Sequence, residues 1–312
     1  MNRTHPLPRR LALLHADTPD KCDRNDLPLA SAALALRLSS LPYPDGFRVL
    51  AAIWSREGRS DEECRRDFFR TALSFKRKCE AAGIPPDRVP LSVEDLRLIG
   101  NDLAALDALA TVGVISVAPF WRGENALGGA WDTGNGLTEF GRRAIERSLS
   151  LGLIPDVSHA SREAADGILT LCERAEKPAI ASHVGFFSLC QHGRNIADRT
   201  AERIARLGGL IGITFHAPHL TGRPRAELGD AVAHLIYGFR KFPDAIALGS
   251  DFDGTDELPA GLSSSDDLPA LAAALSGAGL SEGAIDAIFY RNADRFFSRS
   301  EKQYDFSQTK GS

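Results

Sequence analysis

The sequence predicts an α/β protein with a (β/α)8, TIM-type barrel folded as a single domain. Three observations carry that expectation. First, eight short apolar, β-rich runs recur along the chain, and helical patterns lie between most of them, as parallel βαβ units require. Second, the 312 residues suit a barrel of this kind, whose usual length is roughly 250 residues or more. Third, side chains of the metal-binding type fall at the ends of the runs, which a barrel would gather at one mouth. A doubly wound open sheet uses the same alternation, but no glycine-rich phosphate loop follows the first run. No internal repeat or low-complexity linker marks a boundary, so residues 1–312 read as one domain, with an N-terminal arm over 1–10 and a polar tail over 300–312.

The eight runs are Leu11–Asp17, Phe47–Trp54, Val89–Glu94, Val112–Ala118, Ile154–His159, Ala179–His183, Leu210–Phe215 and Ala245–Asp251. Asp61 to Ala82 reads as a helix because Phe68, Ala72, Phe75 and Cys79 share one face at helical spacing. Leu137 to Leu151 follows the same logic, with Gly152 placed to end it. Ser161 to Ala175, Asp198 to Leu207 and Asp230 to Arg240 read as further crossover helices, the last with Asp230 as N-cap. Two more are expected over Asp267–Leu275 and Ser281–Phe297. The clearest loops are Ser39–Gly46 and Phe120–Gly136. The second follows the fourth run and is rich in Gly and Trp, which makes it a candidate wall of a substrate pocket.

Composition narrows the function. A net charge of −4 gives no reason to expect nucleic acid or an anionic membrane as the main partner. Leu11 to Leu14 is too short for a signal peptide, and no 18-residue apolar stretch exists to span a bilayer. The five cysteines are scattered, odd in number and form no Cys-x-x-Cys, so they read as reduced thiols of a cytoplasmic protein.

The strand ends carry the chemistry. His15 and Asp17 close the first run two positions apart, which in a strand sends an imidazole and a carboxylate to one face. The same residues also read as a strand followed by an Asp17-Thr18-Pro19-Asp20 turn. Glu94 ends the third run, His159 the fifth, His183 the sixth and Asp251 the eighth, with Asp253 just beyond. Several histidines and carboxylates at one mouth, without a matching cluster of lysines, call for divalent cations and a bridging carboxylate. Arg194 follows the sixth run by eleven residues and could clamp a substrate carboxylate in bidentate fashion. His216 and His219, past the seventh run, are expected to serve the loop. His192 is expected to cap a helix, and His5 and His234 to face solvent.

These residues resemble the renal (membrane) dipeptidase family, zinc peptidases of the amidohydrolase-like barrel superfamily, over about Leu11 to Phe297. The motifs are His15-Ala-Asp17-Thr18, Ser92-Val-Glu94, Asp156-Val-Ser-His159, Ser182-His183 followed by Arg194-Asn195, and Gly249-Ser-Asp251-Phe-Asp253-Gly254. The resemblance implies two Zn²⁺ per chain, one on His15 and Asp17, the other on His159 and His183, with Glu94 bridging. It implies Arg194 on the C-terminal carboxylate of a dipeptide and Asp251 as the catalytic acid/base. The family's mammalian members carry a substrate-binding histidine after the fourth strand; here Trp121, in Trp121-Arg122-Gly-Glu124-Asn125, stands in its place, with Trp121 and Asn125 expected at the substrate. Their secretory and lipid-anchor signals have no counterpart in this sequence.

The expected reaction is therefore hydrolysis of a dipeptide's peptide bond. A binuclear site would lower the pKa of a bridging water toward about 7. Asp251 and Glu94 would be the catalytic carboxylates. Two other readings stand beside it: a metal-dependent amidohydrolase on another small amide or lactam, and a catalytically weak metal-binding protein. The expected partner is a small dipeptide, with a homodimer left open.

Overall fold

The computed structural model describes residues 8–303, with side chains described as far as residue 298. His5 and the polar tail beyond Gln303 lie outside the described residues. All eight expected strands are present: β1 (Leu11–Ala16), β2 (Phe47–Trp54), β3 (Leu91–Glu94), β4 (Val114–Ala118), β5 (Ile154–Pro155), β6 (Ile180–Val184), β7 (Leu210–Thr214) and β8 (Ile246–Phe252). They pair in parallel in the order β5-β4-β3-β2-β1-β8-β7-β6. A single bridge between Asp156 and Ile180 completes the ring, with Val157 N–H donating to the Ile180 carbonyl at 2.8 Å.

Several strands are shorter than expected, for local reasons. β5 stops at Pro155, which has no N–H to give, and Asp156 Oδ1 then accepts from the backbone of Ser158 (2.9 Å) and Ser182 (3.0 Å). β3 begins only after Pro90, and β4 only after Gly113, at φ +87°.

The helices are α1 (Thr18–Arg24), α2 (Asp61–Ala81), α3 (Ala105–Thr111), α4 (Glu139–Ser150), α5 (Arg162–Arg174), α6 (Asp198–Arg206), α7 (Leu228–Lys241), α8 (Leu268–Gly277), α9 (Glu282–Asp286) and α10 (Asn292–Gln303). A π-helical turn, Ala287–Arg291, joins the last two. Where the sequence suggested a turn after Asp17, a helix starts instead, with Pro19 in its first turn, where a missing N–H costs nothing. Asp230 does not cap α7. It sits three residues inside a capping box whose N-cap is Glu227, and accepts from the Glu227 N–H at 2.8 Å. A short helix over Ala217–Leu220 and a two-stranded hairpin, Glu124–Asn125 with Gly128–Gly129, complete the loops.

Alternation along the strands separates two cores. Leu11 and Leu13, Val49 and Ala51, and Ile246 and Leu248 pack outward against the helices. Ala12, Leu14, Leu50, Ile154, Ile180, Leu210 and Ala247 face the barrel interior. There they meet Tyr290, Ala293, Phe296 and Phe297 of the terminal helical stretch, which plugs the base. Toward the mouth the interior turns polar: Ser92, Ser116, Ser158, Ser182, Thr214 and Ser250 are all buried.

Candidate metal centre and substrate pocket

If Leu14 faces inward, a regular strand would turn His15 outward. The β1 register shifts between His15 and Ala16 against β8, and between Leu13 and Ala16 against β2, and His15 comes into the barrel. The register of β6 shifts between Ala181 and Val184, around His183. That of β8 shifts between Leu248 and Ser250, just before Asp251. Glu94 needs no such device, because β3 keeps step with β2 through Trp54. The backbone is strained in the same places: Asp95 (φ +67°), His159 (+67°), Ser250 (+66°), Asp251 (+75°) and Asp253 (+69°) all take left-handed conformations. Gly254 belongs to this region too, since a Cβ there would lie 2.2 Å from Asp17 Oδ2.

The side chains converge. His15 Nε2 lies 3.1 Å from Asp17 Oδ2 and 3.9 Å from both Glu94 Oε1 and Asp251 Oδ1. Glu94 Oε1 lies 2.8 Å from His159 Nε2 and 3.3 Å from His183 Nε2. Two triads, His15–Glu94–His183 and His15–Asp17–Asp251, each bring three ligand atoms within 4.8 Å of one another.

Neighbours orient these rings. His159 Nδ1 donates to the Trp121 carbonyl at 2.7 Å, which leaves Nε2 as a lone pair aimed at Glu94. His183 Nδ1 is held by Ser182 Oγ at 2.8 Å, and its Nε2 lies 2.9 Å from that of His159. Burial drives both imidazoles well below their ordinary pKa, so both are neutral. Two neutral nitrogens and a carboxylate oxygen at such distances ask for a cation between them, and the donor set, imidazole and carboxylate, suits a metal of the zinc type. The charge balance agrees. Burial opposes a charged His15, yet Asp17, Glu94 and Asp251 lift its pKa to about 10. Burial raises the carboxyl groups of Asp17, Glu94 and Asp251, as expected for acids gathered without enough positive charge.

A cavity of about 320 Å³ opens over this cluster. Arg194 forms part of its wall, 4% exposed, with Nη2 donating to His183 Nε2 at 2.7 Å. Its Nε and Nη1 have no partner among the described residues. All three tryptophans of the sequence, Trp54, Trp121 and Trp131, line the cavity, the last two from the loop expected to shape it. The Trp54 and Trp121 rings meet at 4.7 Å. Asp20 is a fourth lining carboxylate, held up to about 7 by burial.

Other expectations change. Asn125 does not line the cavity: its amide donates to Asp95 and Pro119, and its carbonyl accepts from Leu127, so it braces the loop. Asp253 accepts from Thr18 Oγ1 (2.7 Å) and Ala35 N (2.7 Å), which ties α1 and the following loop to β8. His234 is buried rather than solvent-facing, between Phe186 N (2.9 Å) and Leu220 O (3.1 Å). His192 caps no helix; it accepts from Arg194 N and packs at a tilt against the His219 ring. His216 and His219 line the cavity rather than serving only the loop. The sequence reading also passed over Asp20, Arg24 and Trp54. The strand-end rule that singled out Glu94 would have found Trp54, its partner in register.

Solved structures of similar fold include a dipeptidase AC, a metallopeptidase of family M19 (TM-score 0.82, 24% identity, 96% of this chain and 99% of that one). Another is a metallopeptidase from Rhodobacter sphaeroides bound to a phosphinate mimic of the dipeptide L-Ala-D-Ala (TM-score 0.84, 21% identity, 93% and 99%). In sequence, the chain is 33% identical over 206 residues to a Klebsiella pneumoniae protein encoded in the pqqA 5′ region, covering 62% of this chain and 73% of that protein. The family model described as membrane dipeptidase matches residues 86–310, most of the barrel, and the chain belongs to that family, peptidase family M19.

Proposed function

We propose that the protein hydrolyses the peptide bond of a free dipeptide at a centre of two zinc-type ions. One ion would be held by His15 and Asp17, the other by His159 and His183, with Glu94 between them. The observation that carries this reading is the convergence of the His159 and His183 Nε2 atoms on Glu94 Oε1, each ring fixed through its other nitrogen. When bound, the ions supply an activated water and polarise the scissile carbonyl.

The chain's own residues do the rest. Arg194 binds the substrate's C-terminal carboxylate with its buried guanidinium, whose Nε and Nη1 have no partner among the described residues. Asp251, at the rim of the cluster and raised in pKa by burial, takes a proton from the attacking water and passes it to the leaving amine. The cavity, of about 320 Å³, has room for a dipeptide. The five cysteines are all buried and unpaired, which supports a reducing, cytoplasmic setting. Among the described residues no helix is long and apolar enough to cross a membrane.

The test is elemental analysis of protein purified without chelator, together with a panel of L,L- and L,D-dipeptides that includes L-Ala-D-Ala, with free amino acid as the readout. Close to two ions per chain and chelator-sensitive release are expected. An active protein without metal would end the proposal.

A further inference from the structure

Of the four carboxylates around the cavity, three belong to the metal cluster and Asp20 does not. Asp20 is 2% exposed. Its Oδ2 accepts from the backbone N–H of Trp54 at 2.6 Å, whereas its Oδ1 accepts no hydrogen bond among the described residues. The charged neighbour of Oδ1 is Arg56, with Nη2 at 3.7 Å, beyond hydrogen-bond reach. Arg24 spends its Nε on the Asp20 backbone carbonyl, not on the carboxylate. A desolvated carboxylate with one free oxygen therefore opens on the cavity beside the Trp54–Trp121 pair, and the Nε1 of Trp54 is itself buried without a partner among the described residues. Aromatic faces next to a buried carboxylate form a cation receptor.

Position supplies the ligand. Arg194 touches His183 on one side of Glu94, while Asp20 lies on α1, which follows its N-cap, the metal-cluster residue Asp17, on the other side. Asp20 and Arg194 line the same cavity, so a dipeptide whose carboxylate rests on Arg194 would extend across the cluster with its amino-terminal residue free to reach Asp20. We infer that Asp20, with Trp54 and Trp121, forms a subsite for an ammonium group on the amino-terminal residue of the substrate. This rests on the dipeptidase reading above and extends it. The ammonium is either the α-amino group or that of a lysine side chain, and the experiment separates the two.

Asp20→Asn keeps an oxygen for the Trp54 N–H and removes only the charge. Wild type and Asp20→Asn, both metal-loaded, are compared on Leu-Ala, on its des-amino analogue 4-methylpentanoyl-Ala, and on Lys-Ala. Binding is followed independently by tryptophan fluorescence. The variant should raise KM and the fluorescence-derived Kd for Leu-Ala by about 10- to 100-fold, the range for a hydrogen bond to a charged group, with a smaller change in kcat. The des-amino analogue should change by less than about threefold, the residual expected once the charged contact is lost from the ligand itself. A loss confined to Lys-Ala assigns the subsite to the side-chain ammonium. Trp121→Leu, in the loop, should weaken the same ligands and spare the des-amino analogue. Equal losses on all three substrates, or none, overturn the inference and leave Asp20 as a brace for β2. If Leu-Ala binds with the expected Asp20 dependence but is not hydrolysed, the dipeptidase reading fails and the subsite stands. If wild type binds neither Leu-Ala nor Lys-Ala, both fall.

Discussion

At the base of the barrel, Ala12, Leu14, Leu50, Ile180 and Ala247 keep strict alternation and close on Phe296 and Phe297. One barrel length away, on the same strands, the register slips at β1, β6 and β8, and five non-glycine residues near the strand ends take left-handed backbone conformations. The base holds hydrocarbon at low backbone energy. The mouth holds carboxylates that burial pushes toward protonation, beside imidazoles that burial keeps neutral. The difference teaches that stability and chemistry are assigned to opposite ends of one sheet, as the barrel fold permits. A residue's height along its strand then decides what its loss does.

Four substitutions can break or sharpen that division. The largest effect is expected from Glu94→Gln. It lies between His15 on one side and His159 and His183 on the other, so activity should fall beyond the roughly 10²–10⁴-fold typical of losing one acid–base group. The melting temperature of the metal-free protein should hold, because a buried acid is being neutralised. Circular dichroism and a dipeptide assay read the two together, and a collapse of the fold would show that the mouth is structural after all. Next comes Asp251→Asn, expected to lower kcat by about 10²–10⁴-fold at unchanged metal content. Near-normal turnover would place the proton carrier elsewhere.

At the other end, Phe297→Ala should remove about 3–5 kcal/mol of unfolding free energy, as for other buried aromatics. Below its melting transition it should leave kcat/KM close to that of the wild type. Urea titration and steady-state kinetics on one preparation check this, and a large kinetic defect would mean that the base transmits to the mouth. The smallest effect is Arg194→Lys, expected to cost about 1.5–3 kcal/mol in kcat/KM on a free dipeptide. The C-terminally amidated form of the same dipeptide should lose far less. Equal losses on both forms would make Arg194 a support of the site rather than a reader of the ligand.

The barrel was legible because its signal is periodic: eight apolar runs with helices between them survive errors of a residue or two at each end. The site was legible for a cruder reason, namely that acids and histidines sat at the ends of those runs. The strand argument for His15 and Asp17 reached the right neighbours by the wrong backbone. It supposed i and i+2 of one strand, whereas β1 ends at Ala16 and Asp17 is the N-cap of α1. A bulge leaves no mark in residue type, so it could not be read. His234 was misplaced because a histidine on an amphipathic helix looks alike whether it meets water or, as here, two backbone groups across a loop. Asn125 was assigned to the substrate by its motif, but its hydrogen bonds depend on how the loop folds back on itself. Asp20 and Trp54 went unnoticed because one lay in an apparent turn and the other looked like ordinary strand hydrophobicity.

The left-handed residues at the mouth bear on how this protein would respond to engineering. Each holds a side chain where glycine would sit more easily, at a cost on the order of 1 kcal/mol per position. Asp251, at φ +75°, is the sharpest case, because burial also raises the pKa of its carboxyl. Asp251→Gly should melt above Asp251→Asn, although both lack the carboxylate proposed to carry the proton, because glycine releases the backbone and asparagine does not. A laboratory selection for heat resistance alone would therefore collect replacements at the strand tips, and would deliver a sturdier barrel that has forgotten its reaction.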